Sequence, residues 1–227
     1  MIDAAGGPLI VALRFLAFVA ITGLLGTWFF CRFVLARVAG DAGERHRRWL
    51  KAFSVHEIYL AALVSIPALL GHAGSATELR ALAVLVDILH IAAAGGWVGA
   101  LGLVTIACLR QRREPDGPAL SAALISAFHP LAMIAAGTVF ITGLGTAWLR
   151  MGAPVGLASS SYSSLFVAKL LLVGVTGAIG AGHSKLARRR VQTVDMGTVG
   201  KTLLAECALA VLVLMVTALL AGTDPMQ

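Results

Sequence analysis

Long uninterrupted apolar runs constrain the fold of this chain more than any other feature. A helix needs about 20 apolar residues to cross the hydrocarbon core of a bilayer. The runs are continuous rather than alternating, which excludes the strands of a membrane barrel. The chain is therefore predicted to be an all-α integral membrane bundle of about six transmembrane helices, forming a single domain over residues 1–227. The six runs are Pro8–Val34, Ala52–Leu70, Ala81–Leu109, Ala119–Leu149, Leu165–Leu186 and Gly200–Ala221.

The composition agrees with a membrane protein. Apolar residues make up 59% of the chain and charged residues 13%, whereas soluble domains average roughly 45–50% and 25%. The net charge is +7, but the basic residues lie in short loops between apolar runs rather than on one polar face. This distribution favours contact with a lipid bilayer over contact with nucleic acid.

The same basic residues predict the orientation. The short loops after the first, third and fifth runs, with their flanks, hold 14 Lys and Arg residues. The other side has only Arg80 and Arg150. By the positive-inside rule, both termini are predicted to lie on the outer side of the membrane. The 14 residues are Arg32, Arg37, Arg45, Arg47, Arg48, Lys51, Arg110, Arg112, Arg113, Lys185, Arg188, Arg189, Arg190 and Lys201.

Ionisable side chains within the runs are the main candidates for function, because a charge in hydrocarbon is costly. Asp87 and His90 are three residues apart and share one face of the third run. The carboxylate can orient the imidazole, as it does behind many metal-binding histidines. Lys169 of the fifth run is predicted to lie at a similar depth and to neutralise Asp87. The alternative is a purely structural hydrogen bond and ion pair.

A second group lies deeper in the predicted bundle. His129 in the fourth run precedes Pro130, and Met133 follows four residues later on the same face. Imidazole and thioether together suit Cu(I). The alternative for His129 is a packed polar residue, and for Met133 a flexible packing residue.

Further polar residues are predicted near the membrane surfaces. His72, in an outer loop, is a candidate ligand at the mouth of a pathway. Four residues toward the cytoplasmic side are candidates for an exit site or a proton path, the alternative being interfacial pairing: His56, Glu57, His183 and Glu206.

Small residues within the runs predict close packing of helices. The third run alone contains Gly95, Gly96, Gly99 and Gly102. The three cysteines, Cys31, Cys108 and Cys207, form no CxxC pair and are interpreted as small buried hydrophobic residues.

Several stretches resemble the copper resistance protein D (CopD) domain family of bacterial inner-membrane proteins over about residues 70–225. The matching segments are Gly71-His72-Ala73, Asp87–Leu103, Phe128–Leu149, Ser160–Val173, and Glu206 with Leu219–Pro225. The resemblance implies copper uptake or tolerance at the bacterial inner membrane, in partnership with periplasmic copper carriers. It implies that His72, His90 and His129 are candidate copper ligands, and that Lys169 and Glu206 occupy positions the family keeps polar.

The chain departs from the family pattern at two places, Ser160–Ser163 and His183–Lys185. Longer members have eight helices, which leaves homo-oligomerisation open for a six-helix chain.

Three functions remain open at this point. The first is copper transport or handling, with copper bound as Cu(I) by His90, His129 and Met133, and with Asp87 behind His90. The second is a membrane oxidoreductase in which two histidines hold haem b. The third is a partner that docks a copper chaperone. No nucleotide-binding, HExxH or nucleophile-elbow motif occurs, so the chain is predicted not to be an enzyme unless the haem alternative holds.

Overall fold

The computed structural model describes residues 6–39, 60, 61, 63–65, 67, 79–151, 161–189 and 196–223. Within these ranges every regular element is helical, and five helices are long and apolar enough to cross a membrane. The prediction of an all-α membrane bundle is confirmed. The second predicted run lies mostly outside the described residues, and those of its residues that are described are helical.

The five helices are longer than the apolar runs that predicted them. Helix α1 spans Pro8–Phe29 and continues through a π-helical segment, Phe30–Leu35, into a last turn at Ala36–Ala39. Each helix extends past its apolar run because polar residues in the interfacial turns satisfy the same backbone hydrogen bonds. The others are α2, Arg80–Gln111; α3, Gly117–Met151; α4, Ser161–Arg189; and α5, Met196–Leu220.

Helix α2 is the centre of the bundle and packs against α1, α3 and α5. Its buried residues Trp97, Leu101 and Val104 meet Leu124 and Phe128 of α3 in the main hydrophobic cluster. Helix α4 packs mainly on α5 and only lightly on α3. This looser seam leaves space between α2, α3, α4 and α5.

The outward faces are apolar, as lipid requires. Leu9, Ile134, Ile141 and Trp148 are each 70–72% exposed. Helices that are apolar all round are typical of membrane spans. The chain is therefore a multi-pass membrane protein in contact with the lipid bilayer.

Glycines bring α1 and α2 into backbone contact. A Cβ atom built on Gly26 would overlap the backbone of Gly99, and one built on Gly99 would overlap the carbonyl oxygen of Thr22. Gly95 and Gly96 seat the side chains of Leu25 and Phe29 in the same way. The predicted close packing is confirmed here, as expected for small residues at helix crossings in lipid. Gly102 has no such contact among the described residues.

Basic residues gather at one end of the bundle. The α2–α3 turn with Arg112 and Arg113 adjoins the start of α5, since a Cβ on Gly200 would lie 3.3 Å from Leu109. The guanidinium of Arg37, at the end of the first span, donates a hydrogen bond to the carbonyl oxygen of Ala127 at 3.3 Å. The orientation of this end in the membrane stays a prediction.

Candidate functional site

Two cavities lie one after the other along the seam between α2, α3, α4 and α5. The first has a volume of about 230 Å³ and contains Asp87, His90 and Lys169 in its lining; it is called the Asp87 cavity below. The second has a volume of about 50 Å³ and contains His129, Met133 and Glu206; it is called the Glu206 cavity. Asp87, His90 and Lys169 thus line one chamber, and His129 and Glu206 line the other.

The cavities occupy successive levels of the same helices. On α2, His90 lines the first cavity and Trp97 the second, and seven residues of helix correspond to about 10 Å. On α4, Lys169 lines the first cavity and Thr176 the second. Both spacings of seven residues preserve the helix face, which is why one seam carries both chambers.

The Asp87 cavity brings together residues predicted to act together. Asp87, His90 and Lys169 come from two helices and share one lining, with Phe18 of α1 and Thr217 of α5. The carboxylate and the ammonium carry opposite charges in the same apolar surroundings, so each lowers the cost of burying the other.

A threonine of α3 contacts the His90 ring. Nδ1 of His90 lies 2.9 Å from Oγ1 of Thr142. The Thr142 hydroxyl is also in hydrogen-bond reach of the carbonyl oxygen of Thr138, one turn earlier, at 2.5 Å. Thr142 therefore fixes the position of the imidazole at the cavity, and the tautomer of His90 decides which of the two atoms donates.

Thr142 was not singled out in the sequence, although a signal was present. Thr138, Thr142 and Thr146 recur every four residues and so follow one face of α3. Thr146 also lines the Asp87 cavity. A threonine stripe on the helix that faces His90 would have pointed to a partner for the imidazole.

The Glu206 cavity is smaller and holds a different set of groups. His129 and Met133 contribute an imidazole and a thioether from α3, and Glu206 contributes a carboxylate from α5. Glu206 is only 5% exposed. A Cβ atom on Gly180 of α4 would lie 3.8 Å from Oε2 of Glu206, so the absence of a side chain there helps to leave the space open.

The structure separates residues that the sequence had grouped. His90 and His129, both predicted as copper ligands, line different cavities. Glu206 shares its cavity with His129 and Met133, and its predicted grouping with His56 and His183 stays a prediction. Helix α3 continues through Pro130. Among the described residues, no three His, Cys, Asp or Glu side chains cluster in a metal-like arrangement.

Four predicted residues cannot be placed in either chamber. His56, Glu57 and His72 lie outside the described residues. His183 lies near the end of α4, but its side chain is not among those described. Their predicted roles therefore remain predictions.

The cysteines behave as packing residues. Cys31, Cys108 and Cys207 are free, and Cys108 is buried. Oγ1 of Thr105 donates to the carbonyl oxygen of Leu101 at 2.8 Å and lies 3.2 Å from Sγ of Cys207. Either atom can be the donor in this Thr105–Cys207 contact.

Comparison with known proteins connects this architecture to copper. Residues 122–220 match the family described as copper resistance protein D. This part of the chain is therefore similar to the copper resistance protein D family. The matched segment contains His129, Met133, Lys169 and Glu206, and it begins after Asp87 and His90. The resemblance predicted from the sequence is confirmed.

A curated relative gives the same connection. The chain is 27% identical over 161 residues to the "Copper transport protein CutJ" of Bacillus subtilis (strain 168). The alignment covers 71% of this chain and 29% of that protein, so the chain spans less than a third of its relative's length. No solved structure matches the chain. The two matches support a copper-related function.

Proposed function

We propose that the chain carries copper across the bacterial inner membrane, as Cu(I), along the seam that holds the two cavities. His90 is the first intramembrane ligand and His129 the second. The proposal is supported by the family match and by one observation above all: Thr142 holds the His90 ring at the Asp87 cavity, whose lining also contains Asp87 and Lys169. Copper is the substrate and needs no bond-making chemistry, so the chain acts as a transporter and not as an enzyme.

The Asp87 cavity is suited to admitting a cation without retaining it. The cavity has room for several water molecules, so an ion can enter partly hydrated. Asp87 attracts the ion, while Lys169 in the same lining limits how strongly it is held. A binding site that is too strong would stop conduction, because an ion must also leave.

By the positive-inside rule, we expect the Asp87 cavity to lie toward the periplasm and the Glu206 cavity toward the cytoplasm. Copper delivered by a periplasmic carrier would then meet His90 before His129. The proposed pathway lies within one chain and does not require a second copy.

The haem alternative is not favoured by the described geometry. Bis-histidine ligation needs two imidazoles facing each other across one porphyrin-sized space. His90 and His129 line separate cavities of about 230 and 50 Å³. A colourless preparation without a Soret band is expected.

The test is Cu(I) binding and transport by purified protein in lipid. Wild type reconstituted in vesicles is expected to take up Cu(I) supplied by a chelator, and His90→Ala and His129→Ala are each expected to reduce uptake at least tenfold. Leu89→Ala is the matched control, since Leu89 is the neighbour of His90 in sequence and its side chain is 45% exposed. Uptake by His90→Ala and His129→Ala at the wild-type rate would refute the pathway.

A further inference from the structure

We infer that the Glu206 cavity is the resting site of a single monovalent soft cation, held by the Glu206 carboxylate, the His129 imidazole and the Met133 thioether. The inference rests on the proposed function and deepens it by assigning a carboxylate ligand and a preferred ion charge. Neither the family description nor the name of the relative assigns a binding role to any of these residues.

The first argument is the combination of donors. His129 and Met133 are four residues apart and lie on one face of α3, and both line the cavity that Glu206 enters from α5. A thioether is a poor ligand for hard cations such as Na⁺, Mg²⁺ or Ca²⁺ and a good one for Cu(I). Imidazole suits the same ion, and three donors are sufficient for the low coordination numbers that Cu(I) accepts.

The second argument is charge. The side chains that line the Glu206 cavity include one carboxylate and, among the described residues, no Lys or Arg. A monovalent cation bound there makes a neutral assembly with a Glu206 carboxylate, whereas a divalent cation leaves a net positive charge in a membrane span. The lining of the Asp87 cavity contains both an acid and a lysine, so the net electrostatic attraction for an added cation is weaker there. The ion is therefore expected to rest beside Glu206 rather than beside Asp87.

The third argument is size. The cavity of about 50 Å³ has room for an ion with a small number of water molecules. It has no room for a chelating carrier or for a porphyrin. Trp97, Val104 and Phe128 form apolar walls around it, which strengthens an ion–carboxylate contact by excluding water.

The test uses Cu(I) alone, supplied by a competing chelator, with purified protein in lipid nanodiscs. Glu206→Gln keeps the shape of the side chain and removes the charge, and Met133→Leu removes the sulfur at a position that is 53% exposed. Each variant is expected to bind Cu(I) at least tenfold more weakly than wild type. Glu114→Gln, at an exposed acid in the α2–α3 turn, is the matched control and is expected to bind as wild type does.

X-ray absorption at the copper edge supplies a second readout that does not depend on affinity. Wild type saturated with Cu(I) is expected to show a sulfur neighbour, and Met133→Leu is expected to lose it. A sulfur signal that persists in Met133→Leu would assign the ion to a cysteine or to another methionine and overturn the inference.

The outcomes separate this inference from the transport proposal. If His90→Ala blocks uptake while Glu206→Gln and Met133→Leu bind Cu(I) as wild type does, the pathway stands and the resting site is wrong. If wild type neither binds nor transports Cu(I), both are wrong. Wild type that binds Cu(I) in preference to Zn²⁺, with the preference lost in Glu206→Gln, supports a site for a monovalent soft ion, and wild type that binds both ions equally tightly contradicts it.

Discussion

The crossing of α1 and α2 at Gly99 permits a prediction whose magnitude follows from the structure. In Gly99→Ala, the new methyl group would overlap the carbonyl oxygen of Thr22 and the backbone of Gly26. These neighbours are backbone atoms, so no side-chain rotation can make space, and the two helices must separate. Overpacking a well-packed interior costs about 1–3 kcal/mol. Because the overlapping atoms belong to the backbone, we expect Gly99→Ala to cost about 3 kcal/mol, at the upper end of this range.

The matched control lies three residues further along the same helix. A Cβ on Gly102 meets nothing within 4 Å among the described residues, so Gly102→Ala is expected to change stability little or to raise it, because alanine favours helix by about 1 kcal/mol over glycine. The two variants make the same chemical change in the same helix. Their difference in free energy of unfolding, about 3 kcal/mol or more, reports the crossing alone.

Reversible unfolding in mixed micelles, followed by tryptophan fluorescence, measures this difference. Gly26→Ala is expected to behave as Gly99→Ala does, since its methyl group meets the same contact from the other side. If Gly99→Ala and Gly102→Ala unfold at the same denaturant concentration, the two backbones do not touch and the packing of α1 against α2 is wrong.

Three further predictions concern the seam and its supports. Thr142→Val removes the hydroxyl that contacts Nδ1 of His90 and is expected to slow Cu(I) uptake by vesicles about 10–100-fold. Thr138→Val removes a hydroxyl bonded to the carbonyl of Ile134 and is expected to leave uptake unchanged. Gly143→Ala places a methyl group 3.5 Å from Cε1 of His90, which is an ordinary contact, so copper uptake should persist. Gly143→Leu should displace the ring and abolish copper uptake. Equal uptake by the two variants would refute the position of His90. Arg37→Met removes the hydrogen bond to the carbonyl oxygen of Ala127 and is expected to lower the free energy of unfolding by about 1 kcal/mol in the same micelle assay. No measurable change in the free energy of unfolding would show that water replaces this contact.

The helices could be predicted from the sequence because the bilayer imposes a simple rule. Any span must be long, apolar and internally hydrogen-bonded, and the runs Ala81–Leu109 and Ala119–Leu149 meet that rule without knowledge of their neighbours. Helix ends were predicted less well. Arg80 and Gln111 extend α2 on either side of its run, because a helix can continue into the interface, where apolarity is no longer required.

The grouping of polar residues was only partly predictable. Asp87, His90 and Lys169 could be grouped because helix rise and insertion direction give depth, and depth alone brings them to one level. Glu206 could not be assigned in this way. Its cavity partners depend on how α5 is rotated about its own axis, because the rotation decides which face meets α3 and α4. Helix α5 is nearly uniformly apolar, so the sequence does not indicate this rotation.

The same reasoning explains why the cavities lie where they do. Close helix contact in lipid depends on small residues opposite each other, and the described glycines of α2 are used against α1 at Gly95, Gly96 and Gly99. On the other side of α2, Gly143 and Gly180 face His90 and Glu206 rather than a neighbouring backbone. A glycine that faces a neighbouring backbone allows two helices to pack closely, whereas a glycine that faces a functional side chain leaves space beside that side chain. The position of glycine relative to ionisable residues on neighbouring helices, rather than its frequency, therefore distinguishes the packed half of this bundle from the half that carries the polar seam.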